Sequence, residues 1–95
     1  MRLRLSSDAY DDLAEISEFG STQWGEDVAR AYTDELVLRL NRLIYHPESG
    51  PPEERIAGFR RLSFGRHIAY YRIERFDILI VRVLHASRDP VRHIS

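Results

Sequence analysis

The spacing of apolar and polar residues along this chain changes period twice, and the changes mark out its elements. Residues 1–5 alternate, with Arg2 and Arg4 on one side and Leu3 and Leu5 on the other, the period of two of a short strand. From residue 8 the period lengthens. Ala9, Leu13, Ile16 and Phe19 or Gly20 recur at steps of three and four, which predicts an amphipathic helix over 8–23. Ser6 or Ser7 offers its N-cap, and Asp8, Asp11 and Asp12 occupy the first turn, where the helix dipole favours anions. Trp24-Gly25 is the break, because glycine takes the left-handed backbone that ends a helix at little cost. Glu26 and Asp27 open a second helix with Val28 or Ala29, Tyr32, Leu36, Leu40 and Leu43 on its apolar side. Glu35 and Arg39 are spaced for an i, i+4 ion pair on its polar side. His46-Pro47 ends it, since the residue before a proline avoids the α region.

After a polar, Pro- and Gly-rich loop over 48–58, the period returns to two. Strands are predicted over 59–64, 67–74 and 77–84, with Gly65 in the first turn and Arg75-Phe76 in the second. The run Ile-Leu-Ile-Val-Arg-Val-Leu is β-branched and nearly continuous in apolar character, as in a central strand covered on both faces. The order β-α-α-β-β-β, helices first and strands after, predicts one α+β domain over 1–95, a helical hairpin packed on an antiparallel sheet. Strand parity then assigns Ala69, Tyr71, Ile73, Leu79, Val81 and Val83 to the helix-covered face. Ile68, Tyr70, Ile80, Arg82 and Leu84 fall on the other face, which no remaining element covers. Burying four such apolar side chains contributes on the order of 6–10 kcal/mol before binding costs. The open face is therefore expected to receive a partner's helix or strand.

Composition adds a few exclusions. The absence of cysteine removes disulfides, thiol chemistry and thiolate zinc sites, and fits a reducing cytosol. The four histidines lack ligand spacing, so no metal and no cofactor are expected. No apolar run reaches a membrane span, and MRLRLSSDAYDD offers no apolar signal core. Net charge is only −1, yet residues 1–54 carry twelve acids and five arginines (−7) and residues 55–95 three acids and nine arginines (+6). Two readings of that split stand: the halves attract each other across the fold, or the basic half meets an acidic partner or a phosphate backbone.

The residues also carry a family resemblance. Leu5-Ser6 with Ala9 and Asp12-Leu13 comes first, then Trp24-Gly25 at the helix turn and His46-Pro47 with Gly50. Gly58-Phe59-Arg60-Arg61, His67-Ile68-Ala69-Tyr70-Tyr71-Arg72, Ile80-Val81-Arg82-Val83-Leu84-His85 and Arg88-Asp89 follow in order. Together they span nearly the whole chain, which resembles the ParE toxins of the ParE/RelE toxin–antitoxin superfamily. The resemblance implies a cytoplasmic toxin that inhibits DNA gyrase without being an enzyme and is neutralised by a ParD-like antitoxin. DNA contact would be indirect, through that antitoxin. It also raises the alternative of a RelE-like ribosome-dependent mRNA endonuclease.

A ribonuclease needs a general base, a general acid and cations on the developing charge. His85, Arg82 and Arg60 are the residues that would supply them. Against this stand Ile68 and Tyr70 on the middle strand, where a ribonuclease would place polar groups, and the near-neutral charge. In the partner-binding reading the surface comprises Arg60, Arg61, Ile68, Tyr70, Ile80, Arg82, Leu84, His85 and Arg88. Its arginines, Arg92 among them, suit bidentate pairing with acidic antitoxin side chains. His85 and His67 also have a plain structural reading, as hydrogen-bonded residues at strand ends. Trp24 is read as a packing residue of the helix turn.

Overall fold

The computed structural model describes residues 1–94. Strand β1 (Arg2–Leu5) leads into α1 (Ser7–Trp24) and α2 (Glu26–Asn41), then β2 (Arg60–Phe64), β3 (His67–Ile73) and β4 (Asp77–His85). Short 3-10 turns follow α2 at Arg42–Ile44 and close the tail at Pro90–Arg92. Ser6 caps α1 in extended backbone, its Oγ accepting from Ala9 N at 3.0 Å. Gly25, at φ 94°, ends α1 and starts α2 in a single residue.

The sheet order is β1-β4-β3-β2. The three C-terminal strands are antiparallel neighbours, as expected, but β1 joins the far edge parallel to β4, so the sheet is mixed rather than purely antiparallel. The helical hairpin is the crossover that makes a parallel return possible. Ala9, Leu36, Leu40 and Leu43 from the helices meet Leu62, Ala69, Tyr71, Ile78, Ile80 and Val83 from the sheet in the main core. The Glu35–Arg39 pair does not form; the Arg39 guanidinium lies over the Phe64 ring, 5.8 Å from its centroid.

Two expectations about the sheet faces are overturned. Tyr70 lies opposite Arg82 and Tyr71 opposite Ile80, so Val81 is an extra residue in β4 and the alternation flips there. Ile78 and Ile80 therefore join Val83 in the main core, and Ile80 is fully buried instead of facing out. Leu79 and Val81 leave the core positions that parity alone had given them.

The second face is not open either. Tyr70, Leu84 and Ile94 form a smaller cluster, with Ile56, Phe59, Ile68 and Val81 packed against it. The loop and the tail, polar overall, each carry apolar plugs that cover the sheet. Asp89 Oδ1 accepts from Val91 N at 3.0 Å, and Pro90 at the first position of the turn is fully buried, which seats Ile94. The loop is pinned by Tyr71, whose hydroxyl donates to Pro47 O at 2.7 Å and accepts from Gly50 N at 3.0 Å. Only glycine fits at position 50, because a Cβ there would stand 2.5 Å from Arg61 O. Among the described residues no helix is long and apolar enough to cross a membrane.

Candidate functional site

Strand β1 ends at Leu5 and pairs with β4 only as far as Ile80. Beyond that point β4 continues to His85 with no strand on this side among the described residues, and α1 runs past it. Side chains from the start of α1 bridge the gap. Ser6 Oγ donates to Val81 O at 2.7 Å. Asp12, nearly buried, takes both Arg82 Nε and Arg82 Nη2 at 2.8 Å and also Val83 N at 2.9 Å. Arg82 Nη1 reaches the tail and donates to His93 O at 3.2 Å. The bond to Asp12 holds the Arg82 guanidinium above its ordinary pKa. Arg82 is thus a tie between α1, β4 and the tail, with both forks of its guanidinium occupied.

Past this tie the helix and strand enclose a groove of about 750 Å³. One wall is α1, with Glu15, Ile16, Glu18, Phe19 and Thr22; the other is the end of β4 and the tail, with His85, Ser87, Arg88 and His93. Phe19 and Arg88 are exposed there, and Arg88 has no ion-pair partner among the described residues. One wall is acidic and apolar, the other cationic and imidazole-rich.

The groove floor ends in a chain of rings. His85 meets His67 edge-on at 5.6 Å, and His67 packs on Tyr32 at 5.5 Å. Tyr32 touches both Phe64, at 5.2 Å, and Trp24, at 6.0 Å, so Trp24 packs at the helix turn with Arg66 over its ring. His67 Nδ1 lies 2.7 Å from the Tyr32 hydroxyl, which also accepts from Arg66 N at 3.1 Å. Burial lowers the His67 pKa, and the neighbouring His85 and Arg66 lower it further, so this ring favours its neutral form. Ser87 N donates to His85 Nδ1 at 3.1 Å. A backbone N–H can only donate, so neutral His85 carries its proton on Nε2.

The residues singled out from sequence divide among four places. Arg82, Leu84, His85 and Arg88 border the groove. Ile68 and Tyr70 lie with Leu84 in the self-covered second cluster, and Ile80 lies in the main core. Arg60 and Arg61 sit on β2: Arg60 Nη1 donates to Gly50 O at 2.8 Å, and Arg61 Nη1 is 3.9 Å from buried Glu53. Arg60 is opposite Tyr71, and His85 is opposite His67 on the other side of β3. That register separates them by roughly 13 Å along the strands and two strand spacings across. Arg60, Arg82 and His85 therefore do not converge on one point.

Sequence reasoning missed Asp12 as a site residue, along with Glu15, Phe19 and Ser87. Asp12 had a legible signal, since it sits three residues after Ala9 and one before Leu13, on the buried stripe of α1. A carboxylate at such a position requires a cation, and Arg82 is the one charged residue inside the apolar run of β4.

Comparison with known proteins bears on this geometry. The family described as "ParE toxin of type II toxin-antitoxin system, parDE" matches residues 3–90. The chain belongs to the ParE toxin family. Toxin ParE1 of Caulobacter vibrioides is 36% identical over 93 residues, covering 97% of this chain and 96% of the relative. Toxin ParE1 of Mycobacterium tuberculosis is 36% identical over 95 residues, covering 98% and 97%. A solved chain of the chromosomal ParDE system from P. aeruginosa superimposes with a TM-score of 0.81 at 24% identity, covering 90% of this chain and 95% of that one. The α+β fold of this ParE-family toxin is therefore shared, and the family match includes both walls of the groove up to the start of the final turn.

Proposed function

We propose that this toxin acts in the cytoplasm as a non-enzymatic inhibitor of DNA gyrase and is neutralised by a ParD-like antitoxin. The observation that carries the reading is the ParE family match over residues 3–90. The groove geometry supports the non-enzymatic part. Arg82 is consumed by Asp12 and His93, and Arg60 stands far from His85. A phosphodiester held at His85 would meet one uncommitted guanidinium, that of Arg88, and the acidic wall of α1. That is poor stabilisation for a pentacoordinate phosphate. The same groove suits a protein partner, with an apolar floor, one acidic wall and one cationic wall.

The test is a gyrase supercoiling and DNA-cleavage assay with the purified toxin, with and without its antitoxin. The proposal expects lost supercoiling or trapped cleaved DNA, reversed by antitoxin. Arg88→Ala is expected to weaken the effect several-fold while leaving the melting curve unchanged, because Arg88 is exposed and makes no ion pair among the described residues. Intact supercoiling at toxin excess, together with cleavage of ribosome-bound mRNA, would replace this reading with the endonuclease one.

A further inference from the structure

The groove lies on the α1 side of the molecule, and the opposite flank of the hairpin carries an unexplained pattern. Helix α2 buries Ala29, Leu36 and Leu40. Its neighbours are fixed on either side of that stripe. Gly20 of α1 sits close enough to Ala29 that a Cβ there would be 3.1 Å from the Ala29 Cβ, and Tyr32 and Arg39 lean on Phe64 of β2. A second stripe faces solvent on the β2 side: Val28, Ala31, Glu35, Leu38, Arg42 and Tyr45, all exposed. Their spacings are three, four, three, four and three, the a and d positions of a heptad seam sustained for the whole helix and its 3-10 extension. Val28 is 54% exposed, Leu38 48% and Tyr45 79%, which is unusual for large apolar residues at seam positions of a soluble domain.

The two charged members decide what the stripe can meet. Glu35 and Arg42 are seven residues apart, about 10.5 Å along the axis, too far to pair within the helix. Neither has an ion-pair partner among the described residues. They are placed symmetrically about a point beside Leu38. An antiparallel second copy, related by a two-fold axis through that point, brings each Glu35 against the other copy's Arg42. The same operation sets Leu38 near Leu38 and Ala31 near Tyr45, a large residue opposite a small one. Arg39, which also lies close to the axis, is folded over the Phe64 ring and so is held off its own copy. The stripe is thus complementary to itself in both shape and charge, the requirement of an isologous interface.

We propose that the outer face of α2 is a self-association surface, at which two copies of this chain pair antiparallel through the Ala31–Tyr45 part of the seam. The seam is a single helix face, smaller than the roughly 800 Å² per partner of a standard stable interface. Association is therefore weak and appears at high concentration. It leaves the groove free, so each copy of the pair still presents its α1 and β4 walls.

Sedimentation of the purified full chain from about 1 µM to about 1 mM tests this. The average mass is expected to climb from 11.2 kDa toward twice that value. Glu35→Arg and Arg42→Glu each place like charges at both symmetry-related contacts, and each is expected to weaken association at least about tenfold. Mixing the two variants in equal amounts restores it, because one then carries two arginines and the other two glutamates on the seam. Leu38→Glu abolishes it in every combination. All three sites are exposed, and unchanged thermal melts exclude unfolding as the cause. A wild-type chain that stays monomeric to the highest concentration overturns the proposal, as do single variants that associate like wild type or fail to complement each other. Should the seam instead belong to an antitoxin, wild type stays monomeric and Leu38→Glu loses antitoxin binding.

Discussion

The two halves of β4 are held at their outer edge by different means. Residues 77–80 have a strand beside them: β1 supplies a parallel ladder, with Arg2 and Arg4 donating to Asp77 at its foot. Residues 81–85 have none. Their backbone is met by a serine hydroxyl and a carboxylate projecting from α1, and the space left between helix and strand is the groove. A strand neighbour is an edge covering that seals. A side-chain covering satisfies the same polar groups at two points and leaves room for something else to dock. The extra residue Val81 falls at the junction, where pairing with β1 stops and the strand changes parity. The candidate site is thus the place where the sheet is least complete.

The comparison is broken most severely at Asp12. Asp12→Ala strands a partly buried guanidinium and an edge N–H together, and is expected to cost about 3–5 kcal/mol in urea unfolding. The double variant Asp12→Ala/Arg82→Met removes the stranded charge, so it should be less destabilised than Asp12→Ala alone. Additive costs would mean that the pair is not coupled. In the strand-covered half the corresponding change is Ile80→Ala, which removes apolar volume only. It is expected to cost about 3 kcal/mol through the cavity it leaves. The two variants also differ in kind: groove binding should survive Ile80→Ala at temperatures where the variant is folded, because Ile80 lies in the main core and does not line the groove.

The same contrast explains what could be read in advance. The helices and β1 are legible because each has a period that only one geometry satisfies, as Ala9, Leu13 and Ile16 do for α1, and β4 is legible as a β-branched, nearly continuous apolar run. The bulge is not legible. Ile78, Leu79, Ile80 and Val81 are all apolar, so either parity looks equally good until the register with β3 is known. The cover of the second face fails for a related reason, since Ile56, Phe59 and Ile94 are single apolar residues in polar stretches and carry no period at all. A face thought to need a partner is in fact closed by its own chain. In the groove, His85 and Arg88 were legible as strand-end and tail residues, but the α1 wall was not. Nothing in the sequence says that a helix lies across the unpaired part of a strand.

The smallest expected effect sharpens the comparison at the groove floor. Burial, with His85 and Arg66 nearby, sets the His67 pKa below its ordinary value of 6.5. Between the folded and unfolded values the unfolded chain binds more protons, so stability is full above about 6.5 and declines as pH falls through that value toward the folded one. Glu53 and Asp77, whose pKa values are lowered by Arg55 and Arg4 respectively, add a loss of the same sign only at lower pH, as it falls below the ordinary carboxylate range. The two contributions therefore separate on the pH axis. His67→Gln keeps an acceptor for the Tyr32 hydroxyl but does not titrate. Its urea midpoint should change less between pH 7.5 and pH 5.5 than that of wild type, while the loss near pH 4 is retained. Equal slopes in the two proteins would assign the upper window to a group other than His67. A flattened upper window would show that His67, at the groove floor between Tyr32 and His85, is the group that responds to acid.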